Sequence, residues 1–213
     1  RDAANQAFAL IDEIENALSR YISGSDVSQI NRMQSGQTLF ISETCYECMR
    51  IALKIYVDSD GLFDITLGRQ IEHQKNAMTG VVPSIGGQLM VDPDRPAIHC
   101  VEAGREIDLG GIGKGYALDR IVPLLRDLGI KSGLIAAGAS TQLAFGENSW
   151  KIELTGSTNM PVVEQKNQAM SVSGISVQGS HIVSPRQAKF TQYPHTRVRV
   201  CLLYTSDAAD DVA

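Results

Sequence analysis

The residues with the greatest chemical potential lie in DLGGIGKGYALD, Asp108 to Asp119. Four glycines, Gly110, Gly111, Gly113 and Gly115, fall there within six residues, around Lys114 and behind Asp108. Bare backbone can pass close to a ligand and present amide and carbonyl groups, and at a helix start it favours an anion that Lys114 would help to neutralise. A tight strand-to-helix connection is the other reading, and this stretch by itself leaves both open. The common phosphate patterns do not decide the matter. A G-x-x-x-x-G-K-[ST] loop needs glycine where Asp108 stands and Ser or Thr where Gly115 stands, and a G-x-G-x-x-G pattern begun at Gly111 and Gly113 meets Tyr116 at its third glycine.

Two other constellations carry chemical potential. CYEC places Cys45 and Cys48 in a C-x-x-C pair, which serves redox or zinc chemistry elsewhere, but no second pair or adjacent histidine completes a zinc site. Both cysteines share one helix face with Met49 and Ala52, so packing is the favoured reading. Ser171, Ser173 or Ser176 with His181 could suggest a serine hydrolase, yet the G-x-S-x-G elbow is missing.

Further motifs tip the balance. YISGSDVSQIN, GLFDITLG, DLGGIGKGYALD, AMSVSG and SHIVSPR occur in this order. They resemble the ordered elements of the ApbE family, the FAD:protein FMN transferases, and the resemblance covers about residues 5 to 187. It implies an α+β fold with N-terminal helices packed on a strand-rich mixed sheet, formed by residues 1–200 as one domain that is truncated at both ends. Residues 201–213, CLLYTSDAADDVA, are set apart as a tail similar to a translated cloning adapter.

The resemblance also implies the chemistry. Members bind FAD with Mg²⁺, cleave its pyrophosphate and transfer FMN to a threonine hydroxyl of a partner flavoprotein, such as a redox-pump subunit. Such a transfer relies on charge stabilisation more than on covalent work by the protein. On this reading Tyr21 lies against the flavin or adenine, with a helix-end core tyrosine as the alternative. Asp108 contacts FAD, or else caps the turn that follows it. Lys114 faces the phosphates, or is a solvated lysine at a helix start. His181 and Ile182 border the cofactor, although a lone histidine is more often structural. Gly111 offers its carbonyl oxygen to Mg²⁺, a hard cation. Asp64 and Thr66 shape the flavin-side wall, and no residue is assigned as catalytic. The intact parent is expected at the periplasmic face of a bacterial cell envelope, held by a lipid anchor lost from the N-terminus. An FAD-binding module without transfer, and an FAD pyrophosphate hydrolase giving FMN and AMP, are the alternatives.

The chain departs from the family pattern at several points. Ala136, Ala139 and Ser140 replace the Asn, second Gly and Asp of an Asn-x-Gly-Gly-Asp element, and Ser184, Gln187 and Ala188 stand where Asp, Thr and Gly are usual. The C-terminal Ala-Asp-x-x-x-Thr metal element is matched only by Ala209-Asp210, so Asp207, Asp210 and Asp211 are not assigned as ligands.

Composition bounds the rest. The 213 residues are 43% apolar, enough for a real core, and a net charge of -5 from 19 basic and 24 acidic side chains provides no basic stripe for nucleic acid. Four cysteines do not describe a disulfide framework. No run of eighteen apolar residues occurs, and the start at Arg1 without methionine is expected to mark an incomplete chain.

The elements that must position these residues follow from periodicity. Ala7, Ile11, Ile14 and Leu18 predict a helix ending near YISGSD, with a short helical turn in DVSQIN. Ser42 opens a second helix, whose apolar face runs from Cys45 to Tyr56. Residues 69 to 96 read as loop with a short segment around Ile85 to Met90, and AIHCVEAGREIDLGG reads as a hairpin. GYALDRIVPLLRDLGI is a helix that buries Ile121, Leu124, Leu125 and Leu128, with Pro123 predicting a bend or a late start. SGLIAAG, TQLAF, WKIEL, AMSVSG, SHIVS and TRVRV read as strands, with FGENSW as a hairpin turn between two of them.

Overall fold

Serine caps set the first helices. In the computed structural model, which describes residues 2–76, 81–154, 162–174, 183–185 and 197–203, α1 (Asp2–Leu18) buries Ile14 and Leu18 and ends where the sequence predicts. The next helix, α2 (Asp26–Ile30), starts at Ser25, whose Oγ accepts from Ser28 N at 3.0 Å. Strand β1 (Thr38–Phe40) leads into α3 (Glu43–Asp58), capped by Ser42, whose Oγ accepts from Cys45 N at 3.2 Å. Asp26 ties the two caps together by accepting from both Ser42 N and Ser42 Oγ.

A helix then appears where loop was expected. Helix α4 (Gly68–Lys75) has no side-chain cap, and its start is held by tertiary contacts described below, which local periodicity does not register. Strands β2 (Gln88–Val91) and β3 (Ala97–Glu102) complete a three-stranded antiparallel sheet in the order β1-β3-β2. The expected hairpin of 97–101 with 103–107 does not form. Both edges of β3 are taken by β1 and β2, and Glu106 instead makes an isolated parallel bridge to Leu67.

Helix α5 (Gly113–Asp127) runs through Pro123 from a start well before it, so the late start is excluded. Tyr116, Ala117, Leu118, Ile121 and Val122 are buried, Leu124 and Leu125 are half-buried, and Leu128 is exposed. The buried stripe therefore lies one turn nearer the helix start than the sequence suggests.

Strands β4 (Gly133–Ala137) and β5 (Thr141–Phe145) form a tight antiparallel pair, and β6 (Trp150–Glu153) pairs with β7 (Val162–Gln165). With β8 (Gln168–Gly174) and β9 (Arg197–Leu203), the second sheet has the order β4-β5-β8-β9. FGENSW joins β5 to β6 without pairing them: β5 pairs with β8 in one register while β6 pairs with β7 in another, so the segment is a break within a longer ribbon. Gly133 faces Phe145 across the β4–β5 pair, where a Cβ would lie 2.8 Å from the ring, so the glycine makes room for that buried aromatic.

The residues cluster into two compact units, one holding 8–116 with 174–196 and the other holding 1–7, 117–173 and 197–213. In the first, Val27, Ile30, Cys45, Cys48, Met49, Ala97, Ile98 and Ile107 are almost wholly buried; in the second, Leu143, Ala144 and Phe145 are. The fold is α+β. Every described ladder is antiparallel, and no helix among the described residues is long and apolar enough to cross a membrane.

Candidate functional site

One arginine organises the region around Asp108. Arg20 follows the end of α1 with its side chain only 8% exposed. Its Nη1 donates to Gly68 O at 2.7 Å and to Asp108 Oδ2 at 3.4 Å, while Nη2 reaches Glu72 Oε2 and Glu106 Oε2, both at 2.8 Å. A buried cation is tolerated because carboxylates and a carbonyl replace its water. The planar guanidinium can address all four acceptors at once, as a compact ammonium group cannot. Arg20 thus binds the end of α1 to the start of α4 and to the segment that carries Asp108.

Asp108 itself is buried, and its other oxygen, Oδ1, accepts from Gly110 N at 2.7 Å. The local alternative raised by the sequence is therefore realised: the carboxylate shapes the turn after it. Asn31, the last residue of the Ser-x-x-Ser-x-x-Asn element, clamps the preceding peptide from both sides. Its Nδ2 donates to Ile107 O at 2.9 Å and its Oδ1 accepts from Ile107 N at 2.7 Å. Ser25 and Ser28 of the same element bond locally around α2. That motif is a positioning device for the segment entering the glycine turn.

The four glycines divide by cause. None has a positive φ, so conformational freedom is not what they supply. A Cβ on Gly110 would come within 2.8 Å of Asp108 Oδ1, and one on Gly111 would lie 3.1 Å from the Phe63 ring. Those two are explained by the protein's own packing. Gly113 and Gly115 are not: a Cβ on Gly113 would make only an ordinary contact at 3.9 Å with Leu18, and one on Gly115 would enter open space. Each sits in the first turn of α5, where glycine is less favourable than alanine by up to about 1 kcal/mol.

Lys114 lies between these two glycines. It is half-buried, with no ion-pair partner among the described residues, and the first turn of α5 contains no acidic residue. A cation at the positive end of a helix is in unfavourable company. The α5 start closes on Leu109 O, which accepts from Ile112 N and Gly113 N, and Tyr116 N returns to Ile112 O. The amides of Gly111, Lys114 and Gly115 donate to no acceptor among the described residues. Bare backbone, unused amides and an unpaired lysine coincide at one helix end.

The remaining predicted residues fall around this end or outside the described structure. Tyr21 is 70% exposed, which removes the reading of a core tyrosine, and its ring has Arg20 at 5.8 Å and Lys75 at 6.0 Å from the centroid. Because Arg20 also holds Asp108, Tyr21 and the glycine turn share one neighbourhood although they are far apart in sequence. Asp64 Oδ1 accepts from Thr66 N and Thr66 Oγ1, and Arg105 Nη1 donates to Thr66 Oγ1, so this pair forms a local turn tied to Arg105. His181, Ile182, Gln187 and Ala188 lie outside the described residues, as do Asp207, Asp210 and Asp211. Arg20, Glu72, Glu106 and Asn31 were not singled out from sequence. The arginine's adjacency to Tyr21 is the only local signal that could have marked it.

Among the described residues, no group of three or more His, Cys, Asp or Glu side chains is placed to hold a metal ion. Gly111 supplies one carbonyl, which by itself does not make a magnesium site. Cys45 and Cys48 are fully buried, and burial raises both thiols, Cys48 to about 12, so C-x-x-C is core packing.

The family model described as the ApbE family matches residues 2–210. A protein named FAD:protein FMN transferase from Buchnera aphidicola subsp. Schizaphis graminum is 27% identical over 187 residues, covering 77% of this chain and 55% of the relative. One of the same name from Escherichia coli K12 is 25% identical over 199 residues, covering 80% of this chain and 54% of that protein. The chain spans about half the length of the curated relatives it matches. Among solved structures, the apo form of the Pseudomonas stutzeri flavinyl transferase ApbE superposes with a TM-score of 0.80 at 24% identity, over 94% of this chain and 70% of that one, a likeness of fold. The ApbE protein of Thermotoga maritima gives 0.71 at 26% identity, over 82% of this chain and 62% of that one.

Proposed function

Because the chain belongs to the ApbE family, we propose that it handles FAD as part of an FAD:protein FMN transferase acting on a threonine of a partner flavoprotein. The observation that carries this reading is the start of α5. Gly115 has no Cβ and nothing within 4 Å of where one would be, and beside it Lys114 has no acid to neutralise it among the described residues. A diphosphate fits both needs: its oxygens take the unused amides and the ammonium group, and close approach requires the missing side chains.

In this proposal Tyr21 offers its exposed ring as a platform for one of the two planar ring systems of FAD. Asp108, fixed by Arg20 and Gly110, holds the turn in shape, and Lys114 stabilises negative charge on the diphosphate as it develops. The threonine oxygen of the target attacks the FMN phosphorus, the bond to the AMP oxygen breaks, and FMN-threonine, AMP and a proton result. His181 and Ile182 are proposed to border the flavin. Mg²⁺ is proposed as a requirement of the reaction, with the Gly111 carbonyl as one ligand; the carboxylates for it are not found among the described residues, and no step is derived through it. Residues 1–200 are proposed as one functional domain, and the working protein is proposed to act at the periplasmic face of a bacterial cell envelope.

The test is incubation of the purified protein with FAD, a threonine-bearing target peptide and either Mg²⁺ or EDTA. Flavinylated peptide by mass spectrometry, formed with Mg²⁺ only, is the expected product. Free FMN and AMP without peptide labelling would identify a hydrolase, and FAD binding without turnover a flavin module. No quenching of flavin fluorescence on mixing would remove the reading altogether.

A further inference from the structure

A second feature of the helix-rich unit lies outside the glycine turn. A cleft of about 210 Å³ opens beside the end of α2, lined by the buried Ile30, Met33 and Cys100 and by Arg32, Arg69 and Arg105, with Glu106 as the one carboxylate-bearing residue of its lining. None of these arginines is fully satisfied. Arg69 donates from Nη1 to Gly104 O at 3.2 Å and approaches Glu106 Oε1 with Nε at 3.8 Å. Arg105 uses Nε on Gly87 O and Nη1 on Thr66 Oγ1, both neutral acceptors. The Arg32 guanidinium makes no hydrogen bond or ion pair among the described residues, its backbone alone bonding Gln29 and Gln34. Glu106 compensates little, because its other oxygen is held by Arg20 at 2.8 Å.

Three arginines thus line one open cleft whose single carboxylate is already bonded to Arg20, in a chain whose net charge is -5. Like charges gathered against buried apolar side chains repel more than they would in open water. Planar forks with spare N–H groups suit a tetrahedral oxyanion, which can accept from several at once. We propose that this cleft is a binding site for a phosphate-class oxyanion, with Arg32 as the residue that engages it directly while Arg69 and Arg105, anchored by their carbonyl and hydroxyl bonds, form the fixed wall.

Inorganic phosphate is the probe. Arginine Nε–Hε resonances of the ¹⁵N-labelled protein are followed during titration with phosphate, and separately with chloride at matched ionic strength. Saturable shifts at Arg32, Arg69 and Arg105 with phosphate alone are expected. Arg32→Gln should weaken the apparent affinity by about fivefold or more and Arg32→Glu should abolish saturation, while neither changes the melting temperature in chloride, since the Arg32 side chain bonds nothing among the described residues and its backbone bonds survive the substitution. Equal responses to phosphate and chloride, or saturation that survives Arg32→Glu, would overturn the assignment. Arg32→Gln is expected to bind FAD as the parent chain does, so this proposal and the flavin reading can fail separately.

Discussion

At the scale of single residues, Gly115 separates the two readings that the sequence left open. If the glycine is only a tight connection, alanine is harmless; if it clears a path for a ligand, helix stability and ligand affinity must move in opposite directions. Gly115→Ala is expected to raise unfolding stability by up to about 1 kcal/mol while lowering FAD affinity about tenfold, a loss of about 1.4 kcal/mol. Urea denaturation and flavin-fluorescence titration read the two quantities. Lys114→Gln should cost FAD affinity by a similar factor without lowering the urea midpoint, because the ammonium has no internal partner to lose among the described residues and its removal relieves the helix dipole. Unchanged flavin affinity in both variants would leave the open space at Gly115 without a purpose. Lys114 was visible in the sequence because motif and residue type coincide there. Arg20 was not: its partners lie 48 to 88 positions away, and nothing local to an arginine announces which carboxylates will surround it.

Elements are held here as much by polar contacts as by periodicity. The start of α4 illustrates the point, since it has no cap of its own and depends on Arg20 bonding to Gly68 O and Glu72. Arg20→Ala leaves the buried Asp108 without its cation and is expected to destabilise the protein by about 3 kcal/mol. Arg20→Lys should recover only part of that, because one ammonium cannot span both pairs of acceptors; equal stability of the lysine variant and the parent would refute the hub. Gly68 belongs to the same device, as a Cβ there would lie 2.7 Å from Arg20 Nη1 and 3.0 Å from Glu106 O. The β2–β3 connection carries a pH dependence of defined sign. The Asp94 backbone N–H, then the Arg95 and His99 side chains, hold the Asp92 carboxyl well below the usual carboxylate range. A depressed folded-state pKa contributes stability that is complete above the unfolded value of about 3.9 and is lost as pH falls below it. The gap in urea midpoint between the parent and Asp92→Asn is therefore expected to narrow steadily from pH 5 to pH 2, and a constant gap would contradict the account.

Over the whole molecule, the cysteines report which parts are closed to solvent. Cys45, Cys48 and Cys100 are buried and Cys201 is exposed. Iodoacetamide at neutral pH is expected to label Cys201 alone in the native protein and all four after denaturation, as peptide mapping by mass spectrometry would show; native labelling of Cys45 or Cys48 would argue against the core described for α3. That core was legible, because Cys45, Cys48, Met49 and Ala52 repeat at helical spacing, though Tyr56, counted on the same face, is 44% exposed. The α1, α2 and α3 boundaries and the spans of β4 and β5 were readable for the same reason: serine caps, turn glycines and apolar periods act within a few residues. Strand partners, the helical state of 68–75, the break at FGENSW and the encirclement of Arg20 were not, since each depends on groups brought together from distant positions. Sequence determined the family, the chemistry-bearing turn and most of the helices by short-range physics. Tertiary structure alone decided which glycines are required by packing and which leave room for something else, because only assembled neighbours can fill, or fail to fill, the space where a side chain would stand.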